Sequence, residues 1–455
     1  MKSLLKSEIV KFTMSGGRPV TRREILRYLA SAAVGAGIGA GITYVGSPPR
    51  VVEVPVVPPP KKAPESIKIG IVTFLSGPAA LLGVEGARAA EWAIEKINAE
   101  GGIAGVKIKH IIIDESGGAE ANVAILRRLH EEEKVDVAIG WISSADALAV
   151  APVAEELGQL TIIYNAGTHR IFEERRYKFV FRTKSHVALD AVGAALAVLK
   201  TIPDLERVSM INQDYAWGRD NAEIFALALK KLKPDVEIVS EYFHKLYETD
   251  YTPFITRLAV DKPQVVFSSS WGGDLVTFIK QAAGFGLFKD MLFCFTNAGH
   301  VFPVLGREMP EGVLVGQRGP HWFEYPDPKT WPLQKEFNEG YYAKYGHYPV
   351  GHHDAYHMWQ AIFAYKAAVE KAVAVTGEWP EVDDIIKAFE NLTIPTPNGH
   401  IIIREDHDGV EPALFGFTVH TPKYPFATLK DLMVFSPEMV NPPVGVRTLD
   451  WINSW

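Results

Sequence analysis

The chain has 455 residues, a formal net charge of −7 at pH 7 and a single cysteine, Cys294. A chain of this length can bury more than one hydrophobic core, so about two or three domains are expected. One cysteine excludes an internal disulfide, and the mild acidity without a dense basic patch argues against a nucleic-acid partner.

The first 47 residues are typical of an export signal. Residues 21–27 read T-R-R-E-I-L-R and precede a weakly apolar, Gly/Ala-rich stretch at 28–45. The arginine pair and the apolar pair after it resemble a twin-arginine signal. A plain membrane helix is the alternative, and the positive residues before the stretch orient either one with its N-terminus inside. Because no clean A-x-A motif precedes Pro48, we expect 1–47 to be a cleaved signal or an uncleaved signal anchor.

A proline-rich segment follows at residues 48–66. It contains seven prolines between Pro48 and Pro64, a composition that predicts an extended, semi-rigid linker. The segment and the signal together predict an extracytoplasmic protein, which the linker would hold just outside a membrane if the anchor stays uncleaved.

From Ile67 onward the pattern alternates between strands and helices in two sets. The first set has predicted strands at 67–74, 106–114, 135–140 and 160–164, and helices at 82–98, 119–132 and from about Asp146. After a strand at 179–184, the second set has strands at 207–212, 236–242, 265–268 and 291–295, and helices at 187–200, 219–232, 251–260 and 274–285. Repeated βαβ units predict parallel sheets covered by helices. The sequence therefore predicts an α/β protein with two similarly built lobes.

The pattern changes after Gly319. It predicts helices at 333–345, 353–374 and 381–390, and a strand pair at 399–403 and 413–419. These segments are too few to form a third core, so we expect them to complete the two lobes. The predicted division assigns 67–185 and 320–412 to lobe 1 and 186–319 and 413–455 to lobe 2, with the tail after Lys423 wrapping lobe 2.

A first candidate site follows the predicted strand at 135–140. Ser143 and Ser144 come directly after this apolar strand and before the helix that begins near Asp146. Hydroxyls and free backbone N–H groups at the carboxyl end of a strand lie where open α/β sheets bind ligands. The alternative is that the serines only cap the helix, a role for which serine is favoured on local grounds.

Seven short segments, in this order, resemble the leucine/isoleucine/valine-binding proteins. They are S-G-P-A-A-L-L-G (76–83), E-G-A-R-A-A (85–90), I-N-A-E-G-G-I-A-G (97–105), G-W-I-S-S (140–144), N-A-G-T (165–168), D-Y-A-W-G (214–218) and W-G-G-D (271–274). Each segment alone is a weak signal, but the ordered set is specific, and the resemblance covers roughly residues 67–420. Members of that family are extracytoplasmic solute receptors of ABC importers with the type I periplasmic-binding fold.

The resemblance implies two Rossmann-like lobes, joined by three crossover hinge segments, that close over a small molecule. It implies that Ser143 or Ser144, Ala166 and Thr168 hold a ligand carboxylate through hydroxyls and backbone N–H groups, which suits charge-assisted hydrogen bonds. On this view the function depends on the affinity for the ligand and on the free energy of bending the hinge, and it needs no covalent step.

The resemblance also implies an apolar side of the site and one departure from the family. Trp217 and Trp271 fall where the family places aromatic residues, and Leu82 falls where it packs the ligand side chain. The acidic partner of an amino-acid ammonium group is replaced by Asn297, and a neutral amide does not offset the cost of burying that charge. Asp274 would substitute if it turned inward. The sequence therefore leaves two kinds of ligand open. One is an amino acid, and the other is an amide, a urea-like compound or a carboxylate.

We thus expect a monomeric, non-enzymatic binding protein that delivers a small-molecule ligand to an ABC permease, with no cofactor and no metal. A ligand-sensing ectodomain is one alternative, although it would need a second membrane span or a cytoplasmic module. A secreted metal-dependent hydrolase using His353 and His357 is a weaker one, since H-D-x-x-H is close to the zinc-protease H-E-x-x-H. The sequence shows neither G-x-S-x-G nor a phosphate loop.

Overall fold

The computed structural model describes residues 60–455. The predicted signal or anchor at 1–47 and residues 48–59 of the predicted linker lie outside the described residues. Between residues 60 and 455, no helix combines the length and the apolar character that a membrane crossing requires.

The first lobe is built on a sheet of five parallel strands. The strands are β1 (Ile67–Thr73), β2 (Ile108–Asp114), β3 (Val137–Gly140), β4 (Thr161–Ile163) and β5 (Val180–Arg182), in the order β2-β1-β3-β4-β5. The helices that alternate with them are α1 (Ala80–Ala99), α2 (Gly118–Glu131), α3 (Ser144–Leu157) and α4 (Arg170–Glu174). All four residues of β3 are buried, as expected for a strand in a sheet covered on both faces.

The second lobe is built on a seven-stranded sheet. Its strands are β6 (Arg207–Gln213), β7 (Glu237–His244), β8 (Val265–Ser268), β9 (Leu292–Phe295), β10 (Leu314–Gly316), β14 (Ala413–His420) and β15 (Ala427–Phe435). Their order is β15-β14-β10-β9-β8-β6-β7, with β6 to β10 parallel and the last two strands antiparallel. The helices are α5 (Val187–Thr201), α6 (Ala216–Leu232), α7 (Thr252–Asp261), α8 (Gly272–Gly284) and α9 (Phe302–Leu305).

Three crossover segments join the lobes, at 183–186, 317–331 and 411–412. Between the second and third crossovers the chain adds α10 (Pro332–Tyr345), α11 (His353–Thr376), α12 (Val382–Phe389) and a small antiparallel sheet of β11 (Leu392–Thr396), β12 (Gly399–Ile403) and β13 (Gly409–Val410). Helix α11 packs on α1 of the first lobe. In the tail, α13 (Pro437–Val440) packs on α5 and α14 (Thr448–Asn453) packs on α6.

The predicted alternation of strands and helices is confirmed in both lobes, but two later details differ. The strands predicted as a pair at 399–403 and 413–419 do not pair with each other, because β12 pairs with β11 and β13, whereas β14 pairs with β10 and β15. The tail contains an unpredicted strand, β15, which forms the antiparallel edge of the second sheet. Both differences concern pairing between distant segments, which local periodicity does not report.

Two glycines allow the same close packing in each lobe. A Cβ atom on Gly83 in α1 would lie 2.0 Å from the carbonyl oxygen of Phe74, and one on Gly218 in α6 would lie 1.9 Å from that of Gln213. Each glycine stands in the first turns of the helix that follows a parallel strand. Both lobes therefore require a residue without a side chain for their first helix to approach the strand end.

We predict that Gly218→Ala lowers the free energy of unfolding by about 1–3 kcal/mol, because the added Cβ must push backbone rather than a flexible side chain. Urea denaturation monitored by circular dichroism measures the change. Gly284→Ala is the matched control, since a Cβ there has no atom within 4 Å. Equal stability of the two variants would contradict the packing argument.

Candidate functional site

A small cavity lies between the carboxyl ends of the strands of the two lobes. Eight residues line it: Leu82, Ile142, Tyr215, Trp217, Trp271, Asn297, Arg318 and His353. Ile142 follows β3, and the residues from the second lobe follow β6, β8, β9 and β10. The carboxyl ends of parallel strands share one edge of a sheet, so residues far apart in sequence meet there.

The cavity is nearly closed in this conformation. Its free volume, taken as the space open to the centre of a water-sized sphere, is about 10 Å³. This is roughly the room that a single water molecule needs. A larger crevice of about 460 Å³ adjoins it, lined among others by Ser116, Ser143, Tyr247 and Trp271. Because Trp271 lines both spaces, its indole stands between the crevice and the cavity. A ring-sized ligand enters the cavity only if the lobes separate or a lining side chain moves.

Hydrogen bonds orient the two indoles of the cavity. The Trp217 Nε1–H donates to the carbonyl oxygen of Ser269 at 2.9 Å, and the Trp271 Nε1–H donates to the Tyr215 hydroxyl at 2.8 Å. The six-membered ring of Trp217 packs on Gly167 of the first lobe so closely that a Cβ there would lie 2.3 Å from it. With their polar atoms paired, the ring faces remain for apolar and stacking contacts.

Arg318 is the charged group of the cavity. Its guanidinium carbon lies 4.3 Å from the Trp217 ring centroid, and its two terminal nitrogens donate to Asn165 Oδ1 at 2.9 Å and to the Asn165 carbonyl oxygen at 3.1 Å. Its backbone φ is +50°, which is uncommon for a residue other than glycine. Arg318 thus stacks on a second-lobe indole while it donates hydrogen bonds to a first-lobe loop.

Two buried carboxyl groups are close to this guanidinium, one in direct contact with it and the other through Asn165. Asp190 Oδ2 is 3.6 Å from Arg318 Nε, and Asp354 accepts a hydrogen bond from the amide of Asn165. Burial raises the pKa of Asp190 to about 6 and that of Asp354 to about 7, while the Arg318 charge acts to lower both. Among the groups that favour the ionised form of each carboxyl, the arginine has the largest effect.

The predicted carboxylate-binding residues lie beside the cavity, not in its lining. Ser143 accepts a backbone hydrogen bond as the N-cap of α3, and Ser144 Oγ accepts one from the backbone N–H of Thr168 at 3.2 Å. The Thr168 hydroxyl donates to Asp220 Oδ2 of the second lobe at 2.6 Å. Ala166 is fully buried. In this conformation their hydroxyls bond to the protein itself, and Thr168 links the two lobes.

The structure brings four other predicted residues into the cavity lining: Leu82, Trp217, Trp271 and Asn297. The Oδ1 atom of Asn297 is buried and has no hydrogen-bond partner within residues 60–455. Asp274 is not among the residues that line the cavity, so in this conformation it does not meet the condition under which it would replace the acidic partner. Its Oδ2 atom accepts hydrogen bonds from Gln213 Nε2 at 2.8 Å and from the Tyr247 N–H at 2.9 Å, which hold it elsewhere.

Sequence reasoning missed the other four lining residues. Tyr215 lies inside the quoted segment 214–218 and could have been found there. Ile142 lies likewise within 140–144. Arg318 stands in a short loop without any motif, and His353 was considered only as a metal ligand. Burial holds the pKa of His353 well below its usual range, so its imidazole is neutral.

Comparisons with known proteins agree with this architecture. A family model described as periplasmic binding protein matches residues 66–419. The Leu/Ile/Val-binding protein homolog 4 of Brucella melitensis biotype 1 is 25% identical over 361 residues, which cover 75% of this chain and 81% of that protein. The Leu/Ile/Val-binding protein homolog 8 of Brucella abortus is 27% identical over 347 residues, covering 72% of this chain and 81% of that protein.

Solved structures show the same fold. A solute binding protein of an ABC transporter from Rhodopseudomonas palustris BisB5, in complex with 3,4-dihydroxy benzoic acid, has a TM-score of 0.73 at 23% identity and covers 84% of this chain and 100% of that one. A second from R. palustris, in complex with benzoate, has a TM-score of 0.71 at 20% identity, with 83% and 100% covered. An ABC-type branched-chain amino acid transporter protein from R. palustris CGA009 has a TM-score of 0.65 at 23% identity, with 83% and 99% covered.

Proteins of this family are extracytoplasmic and bind solutes rather than catalysing reactions on them. The family match runs from β1 to residue 419 in β14, so it spans the whole first sheet, six of the seven strands of the second sheet and the cavity-lining residues. The chain therefore belongs to the type I periplasmic binding proteins of branched-chain amino acid ABC transporters.

Proposed function

We propose that this protein is the solute-binding component of an ABC importer whose ligand is a small carboxylate with an apolar or aromatic body. One observation carries the proposal. Of the eight residues that line the cavity, three are Tyr or Trp and one is an arginine, whereas none carries a carboxylate. A site of this composition offers a cation and ring faces to a ligand, and it offers no partner for an ammonium group.

The composition argues against a free α-amino acid. A buried ammonium group needs a carboxylate partner to offset its desolvation. Asn297 offers only a neutral carbonyl oxygen, and the Asp274 carboxylate is held by Gln213 and Tyr247. Among the ligand classes left open by the sequence, amides and carboxylates fit this lining better than amino acids.

The guanidinium of Arg318 favours a carboxylate over an amide. Arginine presents paired N–H donors that match the two oxygens of a carboxylate, and these charge-assisted bonds are stronger than neutral ones. The indoles of Trp217 and Trp271 and the phenol of Tyr215 supply the faces on which a ring would stack. The benzoate complexes of two structurally similar proteins support the same class of ligand.

Ligand entry in this proposal follows opening of the two lobes. Arg318 would exchange its bonds with Asn165 for bonds with the ligand carboxylate, and the indoles would close over the ligand body. Thr168, which donates to Asp220, and Gly167, which packs on Trp217, would then hold the closed form that a permease recognises. The edge of the first lobe beside the cavity would be shaped by Ser143, Ser144 and Ala166.

The proposed moving units are those expected from the sequence. Lobe 1 comprises 67–185 and 320–412, and lobe 2 comprises 186–319 and 413–455. We also propose export through the twin-arginine segment at 1–47 and action as a monomer at the permease, with 48–66 as a tether if the signal stays uncleaved.

A thermal-shift screen tests the ligand class, because a ligand that binds only the folded state raises the melting temperature. We expect benzoate and hydroxybenzoates to raise it more than benzamide, urea or leucine at equal concentration. A larger shift with leucine than with any carboxylate would contradict the proposed class.

We predict that Arg318→Gln weakens benzoate binding about 10- to 100-fold, because a charged hydrogen-bond donor is lost, while benzamide binding changes much less. Isothermal titration calorimetry with the two ligands measures the difference. Arg307→Gln is the control, since this exposed arginine donates only to backbone carbonyls of Thr421 and Tyr424. An equal loss of affinity for both ligands would show that Arg318 shapes the cavity and does not recognise the carboxylate.

We predict that Thr168→Val weakens binding of benzoate and benzamide by the same amount, about 1–3 kcal/mol, because it removes the bond to Asp220 that favours closure. The same calorimetry distinguishes this uniform effect from the selective effect at Arg318. Thr256→Val serves as control, since that exposed hydroxyl bonds only to a carbonyl of its own helix. Unchanged affinity for both ligands would remove Thr168 from the closure step.

A further inference from the structure

Three buried side chains of metal-ligating type meet at the hinge, outside the cavity lining but one helical turn from the lining residue His353. His321 belongs to the second crossover, Glu411 to the third, and His357 to α11. Their side chains are 1%, 3% and 0% exposed, in that order. One donor atom from each lies within 4.8 Å of the others. We call these three residues the hinge cluster.

The spacing of the donor atoms suits a shared cation. Glu411 Oε2 lies 3.2 Å from His321 Nε2, and Glu411 Oε1 lies 3.5 Å from His357 Nε2. Tetrahedral coordination with bonds of about 2.0–2.2 Å places neighbouring donor atoms roughly 3.3–3.6 Å apart. Each carboxylate oxygen thus faces one imidazole at a separation close to that between two ligands of one ion, and the contact of Glu411 Oε2 with His321 Nε2 is a hydrogen bond in this structure.

The hinge cluster leaves buried polar atoms unpaired. Both ring nitrogens of His357 and the Nδ1 atom of His321 have no hydrogen-bond partner in the part of the chain that the structure describes. Nearly all buried polar atoms in folded proteins are paired, so the unpaired Nε2 atom of His357, which lies toward Glu411, points to a missing partner. His357 Nε2 and Glu411 Oε1 face each other without forming a hydrogen bond.

We propose that His321, His357 and Glu411 bind one divalent transition-metal cation of the zinc type. Two imidazoles and one carboxylate suit Zn²⁺ or Co²⁺, whereas Mg²⁺ and Ca²⁺ prefer sites made of oxygen ligands. This site is separate from the proposed ligand cavity and does not depend on the proposed function.

Two positive groups near the hinge cluster compete with a cation. Arg318 lies 3.6 Å from the Asp190 carboxylate, which offsets its charge. Burial lowers the pKa of Lys184 well below its usual range, so this amine gives up its proton more readily than an exposed lysine does.

A cation in the hinge cluster would join all three crossovers. It would link the second and third directly through His321 and Glu411. The backbone N–H of Glu411 donates to the Ser185 hydroxyl at 2.8 Å, and Ser185 lies in the first crossover. Lobe opening changes backbone dihedrals in such hinge segments. The ion would therefore stiffen the element that sets the balance between open and closed forms.

The test uses the full 455-residue chain without an affinity tag, stripped of metal by a chelator. Titration with Zn²⁺ by calorimetry is expected to show one site, and Co²⁺ is expected to give the visible absorption of a tetrahedral complex. His321→Gln and Glu411→Gln should each weaken Zn²⁺ binding by at least about tenfold. His110→Gln, which changes an exposed histidine on β2, should leave binding unchanged.

Circular dichroism establishes that each variant is folded before its titration. The measurement on the wild-type chain tests the proposal even if both hinge variants fail to fold. Absence of stoichiometric Zn²⁺ and Co²⁺ binding to the stripped wild-type chain would overturn the proposal. Unchanged Zn²⁺ affinity in folded His321→Gln and Glu411→Gln would overturn it as well, since the ion would then be bound elsewhere.

Discussion

The arrangement of the cleft depends on one buried positive charge, the guanidinium of Arg318. A charge in a protein interior is tolerated only where nearby groups replace the water it has lost. Here the replacements are the Trp217 ring face, two oxygens of Asn165 and the Asp190 carboxylate. These partners come from both lobes, so the need to solvate one guanidinium draws the lobes together.

The same loop of the first lobe is held from the hinge side by a second buried arginine. Arg182 at the end of β5 pairs with both oxygens of Asp408, at 2.7 and 2.6 Å, and donates to the carbonyl oxygens of Ala166 and Thr168. Asp408 lies next to the third crossover. The loop at 165–168 is therefore bonded to Arg182, next to the first crossover, and to Arg318 in the second.

Polar residues at positions that resemble the family's ligand site bond to the protein itself in this conformation. Ser144 accepts from Thr168, and Thr168 donates to Asp220 across the lobes. The cavity itself is lined by rings, two aliphatic side chains, an amide and a guanidinium. A cleft of this kind can bond to itself when the lobes meet, and a ligand must offer better contacts than those it replaces.

The sequence by itself determined the two α/β lobes and half of the cavity lining. Apolar periodicity is a local property, so it predicted the strands and helices from Ile67 to Phe295. The family resemblance carried by the ordered motifs implied Leu82, Trp217, Trp271 and Asn297. The tertiary structure decided the role of Arg318, the direction of Asp274 and the meeting of His321 with Glu411. Arg318 and Asn165 are 153 positions apart, and His321 and Glu411 are 90 apart. The topology of the crossovers and sheet edges decides which residues become partners, because a buried charge bonds to the groups that the fold brings within hydrogen-bond distance. A local sequence pattern contains no information about these distant contacts.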